Sequence, residues 1–130
     1  LFTTVDDIER LWRAFARDAI VSPATRADFT TPRHRLAETV SYGRGLYLWS
    51  PRGGSSHTGD APGPRARRVG PAGWMIAGSD AGVGFDSRYL PGLGLTMTVV
   101  SNTTDGHVAV RDAVLDAALD AFSTTLGDRS

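Results

Sequence analysis

Cysteine and lysine are both absent from this 130-residue chain. Without cysteine there is no disulfide, no thiol nucleophile and no cysteine-based zinc site, although the compartment stays open because many exported proteins also lack the residue. Without lysine all 14 basic side chains are arginine, and the glycine-rich pieces carry neither the lysine of a phosphate-binding loop nor a dinucleotide fingerprint. Net charge is missing too. The 14 cations are matched by 14 anions, which argues against nucleic acid or an anionic membrane as partner. No apolar run approaches the roughly 18 residues that would span a bilayer. The three histidines, His34, His57 and His107, stand too far apart for any ligand-spacing motif, so neither a metal nor another cofactor is implied. The chain begins Leu1-Phe2 with no basic leader, so any export signal would lie upstream.

What remains is enough for one modest domain with a single core. Thr4 and Asp7 form a capping box, and Ile8, Leu11, Trp12, Phe15 and Ala19 recur at helical spacing, predicting an amphipathic helix over 5–18 with Arg10, Arg13 and Arg17 on its wet face. Ser22-Pro23 starts a second, short helix that runs to about Phe29 and stops before Pro32. Tyr42 to Trp49 reads as one strand whose Gly43 and Gly45 mark a bulge or a close backbone approach. Residues 50–73, rich in proline, glycine and arginine, read as a long loop insertion.

Trp74 opens the next strand, Gly78-Ser79-Asp80-Ala81-Gly82 reads as a glycine-tight turn, and Val83 to Leu90 continues as strand. Pro91-Gly92-Leu93-Gly94 reverses the chain into Leu95 to Ser101, whose threonines and valines suit a sheet. A final helix runs from about His107 to Leu126, with Val110, Val114, Ala117, Ala118, Ala121 and Phe122 as its expected packing stripe. Asn102 and Thr103 read as capping residues where the strand gives way to that helix. The fold class is therefore α+β: an antiparallel sheet of three to four strands covered by the first and last helices. An uncovered edge of such a sheet invites a partner strand, and hence a homo-oligomer.

Several of these phrases, in this order, resemble the C-terminal segment of the serine β-lactamase-like and penicillin-binding protein family, which includes the D-Ala-D-Ala carboxypeptidases. They are Leu1-Phe2-Thr3-Thr4-Val5-Asp6-Asp7-Ile8, Val21-Ser22-Pro23 with Phe29-Thr30-Thr31-Pro32, Tyr42-Gly43-Arg44-Gly45-Leu46, and the strand that ends Ser101-Asn102-Thr103 before the last helix. The resemblance implies that residues 1–130 are one segment of a β-lactamase/transpeptidase-like domain from a bacterial serine hydrolase. In that family a Ser-x-x-Lys pair and a tyrosine or serine carry the covalent chemistry, and a Lys/His-Thr/Ser-Gly strand lines the pocket. A chain with no lysine holds no Ser-x-x-Lys, so the resemblance places the nucleophile before Leu1 and leaves these 130 residues inactive alone, with no catalytic residue among them. A small-molecule or peptide substrate would then be bound only by the longer parent.

Two positions resemble the pocket strand. His57-Thr58-Gly59 matches its wording, but sits in the 50–73 loop before Pro64 and Arg65-Ala66-Arg67-Arg68. Counting back from Pro91 and Gly82 selects Ile76-Ala77-Gly78 instead, followed by Ser79 and Asp80. On the second alignment Ile76 stands where the family carries a cation. The parent then either hydrolyses an ester or amide without the penicillin-type carboxylate, or has lost activity. Each candidate also has a plainer reading: His57 as a loop histidine, Asp80 as an acceptor for its own turn. The rival to the hydrolase reading is a non-catalytic binding or assembly module.

Overall fold

The computed structural model describes residues 3–50 and 73–127, in the order α1 (Val5–Ala16), α2 (Pro23–Phe29), β1 (His34–Arg35), β2 (Val40–Tyr42), β3 (Tyr47–Trp49), β4 (Gly73–Asp80), β5 (Val83–Leu90), β6 (Leu95–Ser101) and α3 (Gly106–Gly127). The strands form one antiparallel meander, β1-β2-β3-β4-β5-β6. The α+β class and the antiparallel sheet flanked by helices are as expected. The strand number is not: the described residues contain six strands rather than three or four.

One added strand is β1, where none was expected; the other comes from Tyr42–Trp49, which lies in a hairpin and is not one strand. Tyr42 pairs with Tyr47 across it, their rings meeting edge to face at 5.0 Å. Gly43 N–H donates to the Leu46 carbonyl at 2.9 Å, and Gly45 closes the turn at φ 76°. A side chain at Gly43 is forbidden by the Phe29 carbonyl oxygen, 2.1 Å from where its Cβ would stand. That oxygen in turn accepts from Arg44 N–H at 3.1 Å, which pins the hairpin to the end of α2.

The helix starts follow the sequence. Thr4 Oγ1 accepts from Asp7 N–H at 3.2 Å while the Asp7 carboxylate accepts from Thr4, and those hydrogen bonds from Thr4 hold the Asp7 carboxyl below its ordinary range. Helix α1 ends two residues earlier than expected. Asp18 takes φ 60°, a left-handed conformation that aspartate tolerates better than most residues, so Ala19 falls outside the helix and is exposed. Arg26 of α2 grips the Asp18 carboxylate through Nε and Nη2 at 2.6 and 3.2 Å, which fixes the corner between the two helices and lowers the Asp18 pKa.

Strand alternation and register divide the sheet into two faces. On one, Trp74, Ile76, Ser87, Tyr89 and Leu48 meet α1. Trp12 stacks on Tyr89 with centroids 6.3 Å apart, and Phe15 meets Trp74 edge-on at 5.2 Å. On the other face Leu90 and Met97 pack against Leu115 of α3. The first and last helices thus cover opposite faces.

The contact side of α3 differs from the expected stripe. Val110 and Val114 are 51% and 45% exposed and Ala117 and Ala121 are exposed, whereas His107 and Leu115 are buried and Arg111 and Ala118 half-buried; the Phe122 side chain lies outside the described ones. Charge sets this rotation. Asp86 and Arg88 point from β5 into the α3 side, 1% and 7% exposed. The Arg88 Nε and Nη2 donate to the two Asp86 oxygens at 2.8 and 3.1 Å, and Arg111 brings a second guanidinium to 3.6 Å from Asp86. A buried carboxylate needs these partners more than the sheet needs Val110.

Breaking that pair separates charge from packing. Asp86→Ala should destabilise the chain by about 3–5 kcal/mol because it strands Arg88, and Asp86→Leu/Arg88→Met together should recover most of that loss. Urea-unfolding midpoints decide it; a double variant as unstable as the single would show that shape, not charge pairing, is what the cluster supplies.

Candidate pocket wall on an open strand edge

Burial along β4 falls from end to end. Gly73, Trp74 and Met75 are buried, Ile76 is half-buried, and Ala77, Gly78, Ser79 and Asp80 are exposed. The register explains the gradient. β3 pairs with Gly73, Trp74 and Met75 and stops there, while β5 continues alongside to the Asp80–Val83 pair. Among the described residues no strand covers the outer side of Ile76–Asp80, so alternate backbone N–H and C=O groups of this stretch face outward.

The expected glycine-tight turn is therefore mostly strand. Gly78, Ser79 and Asp80 are paired to Phe85, Gly84 and Val83, and the turn shrinks to Ala81-Gly82 with Gly82 at φ 78°. Of the five candidates, Ile76, Gly78 and Asp80 share the α1 face, and Ala77 and Ser79 share the α3 face. The Asp80 carboxylate accepts from Ala81 N–H at 2.7 Å. The other candidate set, His57-Thr58-Gly59, lies outside the described residues, as does nearly all of the 50–73 segment.

Two residues whose part in the hairpin the sequence did not signal hold its tip in place. Thr104 Oγ1 donates to the Asp80 carbonyl at 3.1 Å and accepts from Gly82 N–H at 3.3 Å, tying the turn to the approach of α3. His107, 7% exposed, lays its ring against Gly84, and among the described residues its Nδ1 has no hydrogen-bond partner. Asn102 and Thr103, expected as caps, lie in the link between β6 and α3; the Thr103 carbonyl accepts from Ser101 Oγ at 2.5 Å. A lone threonine in Asn102-Thr103-Thr104 looks no different from its neighbours in sequence. Only the fold brings one of them to Asp80.

At the root of the open stretch, Ile76 forms one side of a wholly apolar pocket of about 170 Å³ completed by Leu11, Trp12, Phe15, Phe29 and Leu46. The Trp12 Nε1–H turns away from it, donating to Ser87 Oγ at 2.8 Å. No group of three or more histidine, aspartate or glutamate side chains that could hold a metal occurs among the described residues. No described helix is long and apolar enough to cross a membrane.

With this geometry in place, the fold has a counterpart among solved structures. A penicillin-binding protein from Bacillus halodurans matches 88% of this chain with a TM-score of 0.71 at 20% sequence identity. The chain shares that protein's fold. It spans 31% of the matched chain's length. No protein-family model matches the sequence, and no curated protein matches it.

Two glycines of the site should respond oppositely to alanine. At Gly84 a Cβ would sit 2.1 Å from His107 Nδ1 and 2.7 Å from the Thr104 carbonyl oxygen, so Gly84→Ala should cost about 1–3 kcal/mol. At Gly78 a Cβ meets nothing within 4 Å among the described residues, so Gly78→Ala should stabilise by about 0.5–1 kcal/mol through reduced unfolded-state freedom. Thermal or chemical unfolding of the two variants checks the pair.

Proposed function

We propose that this chain is the C-terminal part of a β-lactamase-like serine hydrolase and supplies the strand that walls its cleft. The observation that carries the reading is the open edge of Ile76–Asp80, in a fold shared with a penicillin-binding protein. An extended substrate can lie along such an edge and hydrogen-bond to its outward backbone groups. An N–H at the same edge can donate to the oxyanion that forms when a serine attacks a carbonyl. Gly78 supports this use: neither its backbone angle nor a described neighbour excludes a side chain, and a strand glycine of that kind suits close approach by something outside the segment.

The nucleophile and its proton-handling partners belong, in this reading, to the rest of the parent. Serine attacks the ester or amide carbonyl, the leaving group departs with a proton, and water releases the acyl group. The residue at the cationic position of the family is Ile76, so the substrate is one that presents no carboxylate there. Ser79 and Asp80 flank the far end of the wall, and Ala77 faces the opposite side.

A second reading, an assembly module, has its own support. β6 has no neighbour on its outer side among the described residues, and Val110, Val114 and Val100 leave apolar surface exposed. Such edges and patches pair readily with a second copy of the chain.

Fluorophosphonate and fluorescent β-lactam labelling, with mass detection, separates the two. It should be run on the 130-residue chain and on the longest product of its gene. The hydrolase reading expects label on the longer product alone. Label on neither favours assembly or a lapsed enzyme, and label on the short chain would overturn the assignment of the nucleophile to another segment.

A further inference from the structure

We propose that the half-open pocket between α1, α2, the β2–β3 hairpin and β4 is a binding site for a neutral, benzene-sized apolar group. We further infer that in the parent it receives the non-reacting aryl or branched-alkyl end of the substrate; this second step rests on the hydrolase reading above, and the first does not.

Size is the first argument. The pocket holds about 170 Å³ and is open on one side, and a closed apolar cavity of about 150 Å³ already has room for benzene. Chemistry is the second. All six lining side chains are apolar or aromatic, and the one polar hydrogen among them, on Trp12 Nε1, is committed to Ser87. Nothing in the lining can orient or neutralise a charged group, so an ion entering it would lose hydration without recompense.

The surrounding charges reinforce that selection. Arg26 is held by Asp18, and both Arg33 and Arg44 are held by Asp28. Each of these cations of α2 and its neighbouring loops is paired with a carboxylate, and none of them lines the pocket. Leu11, 42% exposed, marks the open side.

Position is the third argument. Ile76 belongs to both the pocket and the open edge, and Gly78 follows it on the same face of β4. Two residues along a strand cover about 7 Å, the span of a few covalent bonds. A group seated against Ile76 therefore leaves the rest of the same small molecule lying on the edge beside Gly78. The pocket then selects acyl esters or amides with a neutral apolar substituent a few bonds from the scissile carbonyl.

Benzene and benzoate are the probes, titrated into the 130-residue chain while the methyl resonances of Leu11, Leu46 and Ile76 are followed by NMR. Saturable shifts of those methyls with benzene, and none with benzoate at the same concentrations, are expected. Ile76→Phe, which fills the pocket, should weaken benzene binding by about tenfold or more, equivalent to about 1.4 kcal/mol, whereas Val110→Ala on the far side of the sheet should leave it unchanged. No saturable benzene shift, equal binding of benzoate, or an unchanged affinity in Ile76→Phe would overturn the site. If Ile76→Phe fails to fold, the wild-type methyl map alone decides.

The link to the substrate is tested separately, by asking whether benzene slows fluorophosphonate labelling of the longest gene product. Labelling that benzene leaves unchanged removes the link and keeps the site. A product that is never labelled removes the hydrolase reading and the link with it, while the titration still stands for the pocket.

Discussion

Three consecutive polar residues, Asp86-Ser87-Arg88, occupy the middle of β5, 1%, 0% and 7% exposed, and the rest of the molecule is arranged to satisfy them. Alternation sends Ser87 to one face and its two neighbours to the other. Ser87 accepts from the Trp12 indole and shares a 2.8 Å hydrogen bond with Thr98, which fixes how α1 crosses the sheet. Asp86 takes both guanidinium nitrogens of Arg88 and faces Arg111, which fixes how α3 is rotated. Arg88 also lies over the Trp49 ring at 5.6 Å, linking β5 to β3 on the α3 face. A buried polar group left without a partner costs more than an apolar contact returns. The two covering helices are thus oriented less by their apolar stripes than by what one strand demands.

This arrangement gives β4 a held root and an open tip. Trp74 and Met75 are clamped between β3 and β5, and Trp74 is roofed by Trp12 and Phe15. Beyond Met75 the outer clamp ends, and stiffness has to come from elsewhere. Thr104 and His107 provide it from the α3 side, through the Asp80 carbonyl and the close contact at Gly84. An edge that is both exposed and fixed suits a surface for presenting backbone groups at set positions, because little ordering remains to be done when a ligand arrives.

Local signals were readable from sequence, and long-range ones were not. The Thr4/Asp7 capping box, the Ser22-Pro23 start and the Pro91–Gly94 reversal depend on residues within a few positions of each other, and each stands where it was expected. The partner of Ser87 is 75 residues away, so its burial left no trace in the periodicity of β5. Helix α3 carries small or apolar residues on more than one side, and the choice between Val110 and Arg111 is made by a carboxylate on another element. Tyr42–Trp49 alternates well enough for one strand, and it is the Phe29 carbonyl, pressed against Gly43, that favours a hairpin. Counting between turns puts the candidate wall at Ile76-Ala77-Gly78, and these three residues lie in β4. That its outer side is open depends on how short β3 is, which no nearby residue announces.

Ile76 also joins two features that look separate. On the alignment that equates Ile76 with the family's pocket strand, the resemblance implies a cation here that greets an anionic substrate. Here the side chain points toward Leu11, Trp12, Phe15, Phe29 and Leu46. An ammonium in that setting would be desolvated with no acceptor in reach, and its charged form would be strongly disfavoured. An apolar lining therefore disfavours a cation at residue 76. A pocket open on one side and lined by leucine, isoleucine and aromatic rings instead suits a neutral group.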